Sequence, residues 1–177
     1  IFYAHQLCQE LNLFRDQFVH ETIAALYGKS KLSGFTMAAK LVAGNDKNLG
    51  SGQGWHRDSS VFPTYKAILY LTDTSTENGP FQYIAKSHHL SEVVKTYRNG
   101  QAQVGQYRFT DEVARGLVES SSIHALPAKA GTIIFANTHG IHRGMPIAEG
   151  RRYALTNYYF RGSINPEYNA YYNEPQH

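Results

Sequence analysis

The sequence predicts a mainly β domain, a sandwich or barrel flanked by helices, and three observations carry that prediction. Short runs rich in β-branched and aromatic residues are bounded by Gly, Pro and Asn turns. One amphipathic helical pattern stands near the start. No strand–helix–strand alternation follows it. At 177 residues the chain has the size of one domain, and folding at that length buries roughly 70% of the unfolded surface. A composition of 42% hydrophobic and 18% charged residues is that of a packed chain and excludes a disordered one.

Leu7, Leu11, Phe14 and Phe18 repeat at 4-3-4 spacing, and Ile23 and Leu26 extend the apolar face. This predicts a single helix over 4–27, stopped by Gly28 and laid over one side of a sheet. Cys8 falls within it and reads as a small core residue. Residues 35–42 read as the first strand, followed by a flexible loop of Gly44, Asn45, Asp46, Gly50, Gly52 and Gly54. The second strand, 66–72, closes at the turn Glu77-Asn78-Gly79-Pro80, and the third covers 81–85. Helical patterns at 90–98 and 111–118 enclose a polar stretch, 99–110. Gly131 opens a fourth strand over 132–136, and the Tyr-rich 152–160 form a fifth. The chain opens on Ile1 rather than Met, so it is expected to begin inside a longer gene product.

The single cysteine excludes an internal disulfide and any zinc site built on several thiolates. It suits a reducing compartment, and the expected location is cytoplasmic. No apolar run reaches the ~20 residues of a membrane helix, and no leader opens the chain, so no membrane partner is expected. The net charge is +3, with basic residues scattered singly apart from Arg151-Arg152. That pattern does not make a nucleic-acid stripe, and no nucleic-acid partner is expected. A mildly cationic pocket for a small-molecule substrate accounts for the balance equally well. The oligomeric state stays open.

The chemistry centres on His56-Arg57-Asp58, just after the glycine loop. On a strand, alternate side chains share a face, so His56 and Asp58 point the same way and offer two neighbouring ligands to a divalent metal. A second imidazole from a distant strand completes a facial set, and two are available, His139 and His142. Two histidines and one carboxylate leave coordination positions open, which suits non-heme Fe(II). Ten residues beyond His142, Arg152 stands where a strand can present a guanidinium to a carboxylate.

These blocks occur in a fixed order: Trp55-His56-Arg57-Asp58; Glu77-Asn78-Gly79-Pro80-Phe81 running to Lys86-Ser87-His88; Gly131-Thr132-Ile133-Ile134-Phe135; then His142-Arg143-Gly144-Met145-Pro146 and Arg152. Over about residues 35–160 the set resembles the phytanoyl-CoA dioxygenase (PhyH-like) family of Fe(II)/2-oxoglutarate-dependent oxygenases. The resemblance implies a double-stranded β-helix (jelly-roll, cupin-like) core, an iron held by His-x-Asp and a distal His, and an arginine gripping the far carboxylate of 2-oxoglutarate. It implies Fe(II), 2-oxoglutarate and O₂ as cofactor and co-substrates. It further implies a hydroxylase that oxidises an unactivated C–H bond of a small molecule with release of succinate and CO₂. Related halogenases have a small residue where Asp58 stands, so the carboxylate favours hydroxylation. The expected organisation is one domain over 1–177, with a covering helix at 4–27, a core at 35–160 and a substrate-entrance insert at 87–128. The sequence departs from the family pattern within two of these motifs, and the usual stretch before the first helix is not part of it. Ala85-Lys86 stands where Pro-Gly is usual, and Arg143-Gly144 follow the distal histidine where a small residue and then Ser are common.

His142 is preferred over His139 as the third ligand, because His142 alone precedes an Arg-Gly-x-Pro turn and lies the family's distance before an arginine. His139 is left as a turn residue. Arg152 is preferred over Arg151 by strand alternation: it shares a face with Ala154 and Thr156, which leave room for a ligand, whereas Arg151 shares one with Tyr153 and Leu155. Lys40, at the end of the first strand, and Tyr70, on the second, are candidate contacts to the co-substrate. Trp55 is expected to pack, His88, His89 and His124 to lie on the surface or in turns, and Arg57 to sit opposite the metal pair. Two rivals remain. One is a cupin-like zinc or manganese hydrolase or isomerase with the same ligands. The other is a non-catalytic, small-molecule-binding jelly roll.

Overall fold

In a computed structural model, the described residues are 1–12, 16–28, 32–44, 49, 50, 52, 54–59, 63–98, 102, 103, 105–117 and 122–160. Their strands pair antiparallel into two facing sheets. The first has the order β1 (Ser33–Val42), β9 (Arg151–Phe160), β3 (Tyr65–Tyr70), β7 (Ile133–Asn137). The second has the order β5 (Arg108–Phe109), β2 (Trp55–His56), β8 (His142–Gly144), β4 (Phe81–Ile84), β6 (Ile123–Leu126). This is the jelly-roll core of the prediction. The five expected strands are all present within one or two residues of their predicted ends.

Period-two alternation divides β3 between two environments. Lys66, Ile68 and Tyr70 stand opposite Tyr158, Thr156 and Ala154 of β9 and face the space between the sheets. Ile68, Tyr70, Ala136 and Ala154 meet Phe81 of the second sheet there and form the inter-sheet core. Ala67 and Tyr159 face the other way, onto a helix.

That helix is shorter than the predicted one. Instead of one element over 4–27, α1 (Ala4–Leu7), a 3₁₀ turn (Gln9–Leu11) and α2 (Gln17–Tyr27) follow one another. Cys8 is extended, with φ −152°, which breaks the run. Asp16 then starts a new helix by accepting the Val19 N–H at 2.9 Å, a capping signal that the apolar spacing obscured. Gly28 ends it at φ 64°, as expected. The buried row is Val19, Ile23 and Tyr27, packed on Ala67 and Tyr159. Burying each of the two aliphatic side chains contributes roughly 1.5–3 kcal/mol. Leu7 and Phe18 are exposed, and Phe14 lies outside the described residues. Cys8 is exposed too, which corrects its reading as a core residue.

On the far side, α3 (Leu90–Arg98) and α4 (Asp111–Gly116) cover the second sheet, where Trp55, Ile84, Phe109, Ala114 and Ile141 form an apolar layer. The stretch 87–128 therefore does more than cover: it supplies β5, paired to β2, and β6, paired to β4. Arg57 is 2% exposed, with its guanidinium donating to the Ser87 and His139 carbonyls at 2.6 and 2.8 Å. It ties the ligand strand to two turns.

The Ala85-Lys86 departure has a visible consequence. Lys86 adopts φ 64°, the left-handed conformation that the usual glycine takes without penalty. Its side chain is exposed. Lys86→Gly is therefore expected to stabilise the protein by about 0.5–1 kcal/mol, the left-handed penalty less glycine's added chain entropy. A urea midpoint that rises with unchanged slope checks this, and Lys86→Ala, which keeps Cβ, leaves the midpoint where it is.

Candidate metal centre

Antiparallel pairing places His56 of β2 directly opposite His142 of β8, and the ring centroids lie 4.3 Å apart. Each Nδ1 hydrogen-bonds the carbonyl two residues earlier: His56 to Gly54 and His142 to Gly140, both at 2.9 Å. With Nδ1–H committed to a carbonyl, each Nε2 carries the lone pair. Both are turned toward Asp58, at 3.8 Å from Oδ1 for His56 and 3.9 Å from Oδ2 for His142. Asp58 lies just past β2, where its N–H donates to the Thr138 carbonyl at 3.0 Å. One ligand atom from each of the three residues falls within 4.8 Å of the others. Nε2 of His142 is buried without a hydrogen-bond partner. An orphaned buried lone pair facing a carboxylate fits a cation between them.

The electrostatics agree with that fit. Burial holds both imidazoles below their ordinary range, His142 down to about 3, and nearby Lys66 adds to the effect. Both are therefore neutral at neutral pH, the form that binds metal. Burial raises the Asp58 carboxyl, but the Lys66 ammonium, His142 and hydrogen bonds from Lys66 and Thr138 outweigh it and leave the group below its usual value. It stays ionised.

Arg152 is 5% exposed on the interior face of β9, in line with Ala154 and Thr156, while Arg151 is exposed outside. Its guanidinium is 5.9 Å from the Tyr70 ring centroid and hydrogen-bonds the Tyr70 hydroxyl. That hydroxyl also donates to the Leu126 carbonyl at 3.1 Å and accepts the Phe81 N–H at 2.8 Å. Tyr70 thus braces both sheets and the arginine. Lys40 does not join them. It is exposed and pairs with Tyr153 on the outer face of the first sheet, one residue out of phase with the interior row. The lysine at the site is Lys66, whose Nζ is 2.7 Å from Oδ2 of Asp58. Its alternation with Ile68 and Tyr70 was a signal in the sequence for an inward side chain. His139 is buried in the turn and lends its carbonyl to Arg57; His88 lies 3.3 Å from the Tyr83 hydroxyl. Trp55 packs under Arg143, which sits 4.3 Å above its ring and pairs with Asp111.

A cleft of about 490 Å³ opens onto Asp58 and His56, walled by Phe2, Met37, Tyr107, Arg108 and Tyr158. That volume suits a small molecule. The glycine loop approaches it closely. A Cβ on Gly52, whose φ is +80°, would lie 2.2 Å from Cε1 of His56. Gly52→Ala is therefore expected to push the imidazole off the Gly54 carbonyl and weaken divalent-metal binding at least tenfold, with the circular dichroism unchanged. Titration calorimetry with Co(II) measures it, and undiminished affinity would show that the loop does not set the ring.

The phytanoyl-CoA dioxygenase (PhyH) family model matches residues 4–152. No curated protein matches the chain by sequence. Among solved structures, EvdO2 from Micromonospora carbonacea var. aurantiaca is similar at 15% identity and TM-score 0.61, over 94% of this chain and 70% of that one. AviO1 from Streptomyces viridochromogenes Tue57 is similar at 16% identity and TM-score 0.57, over 88% and 62%. The epimerase SnoN, solved with Fe³⁺, alpha ketoglutarate and nogalamycin RO, is similar at 16% identity and TM-score 0.61, over 90% and 62%. The chain thus spans under two thirds of the length of the last two. No helix among the described residues is long and apolar enough to cross a membrane. On the family match, the chain belongs to the phytanoyl-CoA dioxygenase family, whose members use Fe(II), 2-oxoglutarate and O₂.

Proposed function

We propose that the protein is an Fe(II)- and 2-oxoglutarate-dependent hydroxylase acting on an unactivated C–H bond of a small molecule, with release of succinate and CO₂. The observation that carries this reading is a buried arginine on the inner face of the first sheet, turned into the same inter-sheet space as three convergent metal-ligand atoms. A zinc or manganese hydrolase built on the same ligands has no use for such a guanidinium.

His56, Asp58 and His142 would hold the ion, with the Gly54 and Gly140 carbonyls fixing the two rings. When bound, the ferrous ion and 2-oxoglutarate supply the reduction of O₂, one oxygen atom going to succinate and the other to the substrate. Arg152 receives the far carboxylate of the co-substrate, and its fork suits both oxygens. Tyr70 holds that guanidinium in place. Ile68, Phe81 and Ala154 keep the interior dry. The substrate enters from the cleft lined by Tyr107 and Arg108, both supplied by the 87–128 stretch. A carboxylate at 58, rather than a small side chain, fills the position that a halide would take. A reducing, cytoplasmic setting suits a ferrous site and the exposed thiol of Cys8.

Titrating the anaerobic Fe(II) protein with 2-oxoglutarate is expected to raise a visible charge-transfer band. No band in the wild type would move the zinc or manganese reading ahead. A bidentate charge-assisted contact is worth roughly 1.5–3 kcal/mol, so Arg152→Ala should raise the Kd from that titration about ten- to a hundredfold. Arg151→Ala should leave it within about twofold, and Arg152→Lys should restore only part of the loss. In a separate measurement, Asp58→Ala should lose bound iron while its circular dichroism stays native, since a core of this size does not need a metal to fold. Full iron occupancy in that variant would remove Asp58 from the ligand set.

A further inference from the structure

Three ligands and a divalent ion do not require a lysine, yet Lys66 is 7% exposed and ends 2.7 Å from Oδ2 of Asp58. Burying an ammonium is unfavourable unless a partner meets it, and among the described residues Asp58 is the carboxylate that does. The Tyr158 ring, with its centroid 4.4 Å from Nζ, takes another side of the charge. Strand pairing enforces this placement. Lys66 stands opposite Tyr158 on β9 and Ala136 on β7, so its side chain runs along the interior face. Asp58 is anchored separately through its N–H to the Thr138 carbonyl, and Thr138 in turn bonds Thr64, two residues before Lys66. Carboxylate and ammonium hang from one corner of the sheet, and the main chain sets their approach.

We propose that Lys66 is a positioning residue for the metal site: by holding Oδ2 of Asp58 it leaves Oδ1 alone to bind the ion and prevents a second bond from that carboxylate. The proposal rests on His56, Asp58 and His142 being the ligands. A carboxylate bound through one oxygen takes one coordination position; bound through both it takes two, and a chelating co-substrate loses a position it needs. Oδ1 faces Nε2 of His56 at 3.8 Å, whereas Oδ2, 3.9 Å from Nε2 of His142, is the oxygen that meets the ammonium. Without the charge at 66, Oδ2 is released to the ion as well.

Zinc(II) serves as a redox-silent probe, read by infrared difference spectra (zinc-loaded minus zinc-free) of protein labelled with ¹³C-aspartate. The separation between antisymmetric and symmetric carboxylate stretches is wide for one-oxygen binding and narrow for two. The wild type and Lys66→Arg are expected to show the wide splitting. Lys66→Met is expected to bind one zinc per chain with a narrowed splitting, and to bind 2-oxoglutarate at least tenfold more weakly in calorimetry. If the methionine variant does not fold, Lys66→Ala carries the same comparison, because its smaller side chain lets water reach the carboxylate before metal is added. A wide splitting in the folded variant, or loss of zinc from a natively folded one, would overturn the proposal. Wild-type aspartate bands that ignore zinc would overturn the ligand assignment itself, and the proposal with it.

Discussion

The site depends on a single point of strand register, His56 opposite His142. β8 is three residues long and lies inside the second sheet, between β2 and β4. A slip of one residue would turn His142 outward and bring Ile141 or Arg143 into the interior. Both neighbours resist that slip. Ile141 is 1% exposed in the layer beneath α3 and α4, and Arg143 lies over Trp55 with Asp111 as its counter-charge. Placing the guanidinium between the sheets would strip it of both partners, at a cost of several kcal/mol. The outward-facing residues of β8 thus hold the inward-facing ligand in register.

Buried cations are a second organising feature. Arg57, Lys66, Arg143 and Arg152 are all under 9% exposed, and each is met in a different way. Arg57 is caged by two carbonyls, Arg143 by an aromatic face and a carboxylate, Lys66 by the candidate metal-binding carboxylate, and Arg152 by a tyrosine that also bridges the sheets. Only Lys66 and Arg152 face the interior. The net charge of +3 is a poor guide to any of this. What matters is which cations the pleat turns inward and what neutral or anionic groups meet them there.

Elements with a long, clean period were legible in the sequence, and short ones were not. The 10-residue strands β1 and β9 lie within two residues of their predicted ends, whereas of the predicted helix face only Ile23 joins the buried row Val19, Ile23 and Tyr27. β2, β5 and β8 have two or three residues each, too few to show a period, and they are defined by pairing with one another and with β4. The single predicted helix over 4–27 failed for a related reason. Leu7 and Phe18 keep the spacing of an apolar face, but the Asp16 cap restarts the helix, and both side chains end in solvent.

The residue types that could make the site, and their order, are readable along the chain: a His-x-Asp pair, a later histidine, and an arginine ten residues beyond His142. Alternation likewise put Arg152, rather than Arg151, on the inner face of its strand, where it is buried. Which lysine lies beside Asp58 is instead a matter of strand pairing. Lys40 and Lys66 both lie on strands of the same sheet, but pairing with Tyr153 puts one outside, and pairing with Tyr158 puts the other beside Asp58. The reason is physical. Alternation within one strand fixes which residues share a face, whereas the face that turns inward, and the distant residues it meets there, are set by hydrogen-bond register between strands far apart in the chain.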